Sequence, residues 1–431
     1  MQVLPDQLTQ NRAMLLRVLG WIAAAVSALV LLSAIAARLD RPTMDFHSYF
    51  TAAHLVTEGQ PVASFYDDEW FKREASRFAP LEEIYGPNVP TTALFFAPVA
   101  IFQSEVDAHL AWTAASFVLL ILFVEGLVRI ASASAARPYW YVAAFLAQPV
   151  KENLIQGQAY IVVALGLVLF LKWWKDNREA QAGVMLAGLF AYKSIGFVLW
   201  PLALVTGRWR VVAWGVATLA MIVALTWPVI GLDGWLAYLN SMQQVMTTRP
   251  ICATAYQSVQ GFFQHLFSAG GNWGTPAWAL PVETVRWTCS VLVLGFTLIT
   301  LYLAARHRDD ELAIGASILL CLFLVPLSQA HTYVLAFVPI AQLFRRLGGT
   351  SVRWEVAALW FGAAAIMVPT PYRSLRLVDG WASVIAYPKL YGALVLWGLC
   401  IMLMAQKKRS AALSDRVQAG GEWWARQGSN L

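Results

Sequence analysis

The sequence predicts an all-α integral membrane protein, a polytopic helical bundle. Three observations carry this. Hydrophobic residues make up 59% of the 431 and charged residues only 13%, far from the balance of soluble domains. Apolar runs of helical length recur along the chain. Many of the 20 tryptophans stand near the ends of those runs, where an amphipathic indole is stabilised at the water–lipid interface. Disorder, a disulfide scaffold and a soluble enzyme are excluded. Cys252, Cys289, Cys321 and Cys400 are widely scattered and form no metal or disulfide motif. A net charge of +6 would point to nucleic acid in a soluble protein, but here the cations border apolar segments and act as topology signals. No nucleic-acid partner is expected; the lipid bilayer is.

The first apolar run, residues 14–36, is about 23 residues long, enough to cross ~30 Å of hydrocarbon at 1.5 Å per residue. It reads as a membrane helix. A cleavable signal peptide is the alternative, but the run exceeds a usual apolar core and no clean small-x-small cleavage site is followed by a soluble domain. Residues 38–89 hold nine acids against five bases, which marks an external loop. Residues 90–102, bounded by Pro87, Pro90 and Pro98 and then by Gln103, Ser104 and Glu105, read as a re-entrant or interfacial helix.

Further apolar runs occupy about 106–128, 138–150, 154–173, 181–206, 211–229, 285–305, 312–327, 330–344, 354–370 and 388–405. The connectors between many of them are basic, including Arg129 to Arg137, Lys172 to Arg178, Arg208 with Arg210, and Arg345 to Arg353, and the positive-inside tendency puts these in the cytoplasm. Basic connectors at both ends of 181–206 require an even number of crossings, so a break is expected near Lys193, beside Ser194 and Gly196. About twelve crossings result, with both termini inside. The chain then forms one polytopic domain over residues 1–405, with external loops at 38–89 and 230–284 and a cytoplasmic tail at 406–431. Most of the unusual polar groups share the external face.

Asp45 follows the first span closely and precedes a run of helix formers. As an N-cap it would accept hydrogen bonds from free backbone N–H groups, and position alone favours that role. As a catalyst it would be a general base at the membrane surface, taking a proton from an acceptor hydroxyl. Lys193 lies in apolar sequence, where an ammonium is costly unless it pairs, faces an aqueous cavity or snorkels to the interface. A phosphate on a lipid carrier suits it. His331 and Ser328 share a short external turn and offer a second phosphate contact. Arg373 and Arg376 read first as an exposed loop face.

A series of short segments follows in order: Asp45-Phe46-x-x-Tyr49-x-x-Ala52, Gly59-Gln60-Pro61 to Tyr66-Asp67, and Tyr85-Gly86-Pro87 to Leu94 and Pro98. Then come Gln156-Gly157-Gln158, Lys193 at a helix break, and Tyr256-Gln257-Ser258. In this series the chain resembles the GT-C superfamily of polytopic glycosyltransferases. It is most similar to the bacterial branch of polyprenol-phosphate-mannose-dependent mannosyltransferases and arabinofuranosyltransferases. Each segment is weak alone, and their order is what carries the resemblance, over roughly residues 14–345. Tyr256 replaces the usual Asn, Tyr160 stands where an Asn commonly follows Gly-Gln, and Ser194 rather than Pro follows Lys193. These departures touch the sugar and acceptor contacts more than the fold.

The resemblance implies a GT-C type bundle of about 12 transmembrane helices in the inner (plasma) membrane, with its active site on the periplasmic, external face. It implies transfer of a mannose-like hexose or arabinofuranose from a polyprenyl-phosphate donor to an envelope glycolipid or glycan acceptor, with inversion. Asp45 would be the general base, Lys193 and His331 would bind the donor phosphate, and His47, Tyr49, Tyr85, Gln158 and Gln257 would contact substrate. No cofactor is implied, and no metal, because the donor is a monophosphate and no cluster of metal ligands is present in the sequence. A transporter or lipid flippase is the rival reading, but it would show polar groups at mid-membrane and two similar halves.

Overall fold

The computed structural model describes residues 3–39, 41–247, 252–268, 273–348, 353–369 and 374–406. Within them the only β pairing is one isolated bridge, Ser268 to Leu280. In chain order the helices are α1 (Val3–Ala36), α2 (Met44–Thr57), α3 (Asp68–Ala75), α4 (Pro90–Phe96), α5 (Glu105–Ile130), α6 (Arg137–Leu146), α7 (Gln148–Ile155), α8 (Tyr160–Lys175) and α9 (Glu179–Lys193). They continue as α10 (Leu199–Val205), α11 (Trp209–Thr247), α12 (Val259–Phe267), α13 (Val282–Arg306), α14 (Leu312–Leu324), α15 (Phe337–Leu347), α16 (Arg353–Met367) and α17 (Pro388–Gln406).

Five stretches are long and apolar enough to cross a membrane: Asn11–Ala36 of α1, then α5, α11, α13 and α17. Leu29, Leu225, Trp287 and Val291 on α1, α11 and α13 turn apolar side chains outward, as lipid-facing residues do. The other apolar runs form shorter helices, among them α9 with 15 residues and α10 with 7. Small residues let helices close: a Cβ on Gly183 of α9 would come within 2.5 Å of the Val211 carbonyl of α11. The main core gathers the buried Phe46, Phe123, Phe170, Phe323 and Phe337. A smaller core lies under the 52–93 segment, around Leu55, Phe65, Phe71 and Tyr85.

The break at Lys193 has an evident cause. Ser194 adopts the left-handed conformation (φ 47°), which ends α9, and Gly196 (φ 89°) turns the chain into α10. The freed carbonyls at the end of α9 are not orphaned, because the Thr91 and Thr92 hydroxyls of α4 donate to Ala191 O and Tyr192 O. Residues 90–102 thus form α4 and a 3-10 turn, Ala97–Ile101, with the first half buried and Ile101 exposed.

Two expectations need correction. Residue 230 does not begin a loop: Pro228 and the non-helical Gly231 (φ 62°) kink α11, which then continues to Thr247. Nor is Asp45 the N-cap of α2. Thr43 holds that position, and its side chain makes no capping bond. Arg373, the tail from 407 onward, and parts of the 230–284 segment lie outside the described residues, whereas Arg376 stands in a 3-10 turn, Leu375–Leu377.

Candidate functional site

One cavity of about 390 Å³ collects groups from distant parts of the chain, a size typical of small-molecule sites. Asp45, Ser48 and Tyr49 reach it from α2. Glu83 and Asn88 come from the loop before α4, Gln158 and Tyr160 from the turn into α8, Lys193 from the end of α9, and Gln329 and His331 from the turn after α14. The remaining wall is largely apolar, with Ile195, Met242, Val245, Met246, Val325 and Leu327.

Helix geometry selects the α2 residues. Positions 45, 48 and 49 are spaced i, i+3 and i+4, so they share one face, and position 47 points nearly opposite. Asp45 sits in the first turn, where the positive end of the helix stabilises a carboxylate. Its side chain is about a quarter exposed (26%), and Oδ2 stands 4.0 Å from His331 Nδ1. The neighbouring turn needs glycine: Gly157 has φ 62°, and a Cβ there would fall 2.7 Å from the Phe46 side chain. That close approach lets Gln158 Oε1 accept from the Tyr49 hydroxyl at 2.8 Å.

Lys193 is held, not loose. Its Nζ donates to the Tyr49 hydroxyl and to Asn88 Oδ1, the latter at 2.7 Å. The ammonium also lies 4.6 Å from the Tyr49 ring centre and 5.5 Å from that of Tyr160, a cation–π arrangement. Tyr49 stacks on Phe96 at 4.3 Å, which fixes the ring. His331 stacks on Tyr160 at 5.2 Å, and its carbonyl accepts from Asn153 Nδ2 at 2.7 Å.

Three residues expected to touch substrate do not line the cavity, and each is spent on the scaffold. His47 is fully buried, with Nδ1 2.7 Å from Glu105 Oε2. Tyr85 donates to Val89 O and accepts from the Ala93 N–H, fixing the loop that carries Asn88. Gln257 donates to Thr254 O and Ala386 O and accepts from the Lys389 N–H. Its backbone N–H reaches Ser328 O at 2.7 Å, and Ser258 Oγ reaches Pro326 O at 2.8 Å. The Tyr256–Ser258 segment therefore clamps the turn that bears His331 and brings Tyr256 to the cavity wall.

Sequence reasoning missed Glu83, Asn88, Tyr160 and Gln329 as cavity groups. Glu83 and Asn88 flank the Tyr85-Gly86-Pro87 segment, and Tyr160 was visible only as a departure from a family pattern. Ser48 explains how Glu83 arrives: its hydroxyl donates to Ile84 O at 3.2 Å, tying the residue after Glu83 to the Asp45 face of α2. Burial, and then the charge of Asp45, raise the Glu83 carboxyl to about 8, while the Ile84 N–H pulls it down. The cavity thus offers a carboxylate, a second carboxyl that favours its neutral form, an ammonium and an imidazole beside an apolar wall. That set can take a proton from a hydroxyl and hold an anion on an apolar tail.

Residues 87–328 match the model of Glycosyltransferase family 87. The matched stretch contains Asn88, Gln158, Lys193 and Gln257; Asp45 precedes it and His331 follows it. No curated protein matches the chain. The match covers more than half of the 431 residues, and the chain belongs to glycosyltransferase family 87, a family of GT-C type polytopic membrane glycosyltransferases.

Proposed function

We propose that this membrane glycosyltransferase uses a polyprenyl-phosphate sugar, a mannose-like hexose or arabinofuranose, and transfers it to a glycolipid or glycan of the cell envelope. The observation that carries this reading is the single cavity shared by Asp45, Lys193 and His331 with an apolar wall of Met242, Val245 and Met246. Lipid-linked donors combine an anion with a long apolar chain, and this cavity offers a complement to each.

In this reading Asp45 takes the proton of the acceptor hydroxyl as its oxygen attacks the anomeric carbon. The bond from that carbon to the phosphate oxygen breaks on the opposite face, and configuration inverts. Lys193 stabilises the departing polyprenyl phosphate by its charge and His331 by a hydrogen bond, and Tyr49 and Asn88 aim the ammonium. Tyr49 and Gln158 support the site through their shared hydrogen bond. Purified protein given radiolabelled polyprenyl-phosphate mannose or arabinofuranose, with envelope glycolipids as acceptors, is expected to consume one of the donors. Consumption of a nucleotide sugar instead, with both lipid donors untouched, overturns the reading.

The same reading places the site on the external, periplasmic face of the plasma membrane. About twelve crossings follow, with residues 1–405 as one domain, the segments 38–89 and 248–281 outside, and a cytoplasmic tail from 406. Cysteines introduced at Glu69 and Lys407 are expected to react with an impermeant reagent from opposite sides; labelling from one side alone excludes this topology.

A further inference from the structure

The cavity holds two carboxyl groups, and the mechanism above uses one. Asp45 faces the His331 imidazole at 4.0 Å. Glu83 has no ion-pair partner among the described residues, although it lines the same cavity. Its place is set by the bond from Ser48, one turn along α2 from Asp45, to the carbonyl of Ile84. The two carboxyls therefore line one cavity beside the first turn of α2, close enough for the charge of Asp45 to act on Glu83.

We propose that Glu83 is an acceptor-positioning residue, donating a hydrogen bond to a hydroxyl of the acceptor sugar adjacent to the one that Asp45 deprotonates. This rests on the transferase reading above and adds a site for the acceptor to it. Two adjacent hydroxyls of a pyranose or furanose present one oxygen to be deprotonated and one to accept a hydrogen bond, and a carboxylate beside a neutral carboxyl answers that pair. Two carboxylates would repel each other and offer no donor.

The surroundings of Glu83 favour its neutral form. The titratable groups lining the cavity are Asp45 from α2, Tyr49 from the same helix, Tyr160 from α8, Lys193 from α9, Tyr256 before α12, and His331. Lys193 is turned to Tyr49 and Asn88, and His331 to Tyr160 and Asp45, so neither neutralises Glu83. Glu82, its neighbour in sequence, is exposed. Burial and the Asp45 charge hold the Glu83 proton up to about pH 8. A proton that must be donated is lost as pH rises through that value, so turnover at fixed acceptor falls on the alkaline side.

The test compares wild type, Glu83→Gln and Glu83→Ala in nanodiscs, with donor saturating and acceptor varied. Glutamine keeps an N–H donor and does not titrate, so E83Q is expected to retain at least a third of wild-type turnover and to lose the rise of acceptor KM that wild type shows as pH passes about 8. E83A is expected to raise the acceptor KM roughly ten- to a hundredfold with donor KM within twofold. An acceptor KM that still rises with pH in E83Q, or an unchanged acceptor KM in E83A, overturns the proposal while the transferase reading stands. An arm independent of turnover is the infrared difference spectrum of wild type minus E83Q at pH 7. A protonated-carboxyl C=O band is expected there, and a carboxylate band in its place overturns the proposal even in a preparation that transfers nothing. Absence of transfer from every polyprenyl-phosphate sugar, with the C=O band present, counts instead against the transferase reading.

Discussion

Two faces of α2 carry equally polar residues and do different things. On one face Asp45, Ser48 and Tyr49 meet the cavity; on the other, His47 and Thr51 are fully buried, and His47 is bonded to Glu105 of α5. In the string Asp45-Phe46-His47-Ser48-Tyr49 the aspartate and histidine look like neighbours at one site. A rotation of 100° per residue separates them by about 200°. Polarity near a catalytic acid is therefore no evidence of contact with substrate. Helical phase is the better guide, and every expectation below follows from which face a residue occupies.

The largest effect is expected at Asp45. Asp45→Asn keeps the shape and removes the base, so turnover with both substrates saturating should fall by ~10²- to 10⁴-fold while thermal stability and donor binding hold. Because Asp45 makes no capping bond of its own, a structural role offers little to lose. An asparagine variant keeping more than about a third of wild-type turnover would show that the cavity face is not the reactive one.

Lys193→Ala comes next. Losing a preorganised cation opposite developing phosphate charge should lower kcat/KM for the donor by roughly 10²- to 10³-fold. Equal affinity of mutant and wild type for a polyprenyl phosphate would reduce Lys193 to an organiser of Tyr49 and Asn88.

On the buried face the currency changes from rate to stability. His47→Ala strands the Glu105 carboxyl in the core and should cost about 1–3 kcal/mol of stability, with turnover per folded molecule within about twofold. A tenfold rise in acceptor KM in that variant, at unchanged stability, would erase the distinction between the two faces.

Much of this architecture was legible in the sequence, because a helix in lipid leaves a long apolar signature and Lys193 inside one is anomalous. The break at Lys193 was readable from Ser194 and Gly196, whose turn-forming chemistry is local. Asp45, Lys193 and His331 were each readable as exceptions to their surroundings. What brings them together was not, since it depends on contacts across the chain: Gly157 against Phe46, Thr91 and Thr92 on the end of α9, Ser258 on Pro326. The same holds for the expected residues that do not line the cavity. Tyr85, His47 and Gln257 carry groups that bind sugars and scaffolds equally well, and only their partners decide which. The extension of α11 past Gly231 was hidden because a proline and a glycine three residues apart read as an end, whereas tertiary packing turned them into a kink.

The smallest expected effect is the sharpest test of how finely the cavity face is graded. Ser48 lies on that face, between the base and the loop carrying Glu83, and its one hydrogen bond goes to Ile84 O at 3.2 Å. Ser48→Ala removes a single neutral bond at little change in volume, a loss of about 0.5–1.5 kcal/mol. Nothing in that bond touches the donor, so donor KM should not move. The loosened loop should instead raise acceptor KM a few-fold and leave kcat within about twofold, because the base and the phosphate-binding cation stay in place. Steady-state kinetics with each substrate varied in turn would measure this. A Ser48→Ala variant as damaged as Asp45→Asn would mean that the face works as one rigid unit, and an unaltered acceptor KM would mean that Tyr66, Tyr85 and Lys193 hold the 83–88 loop without it.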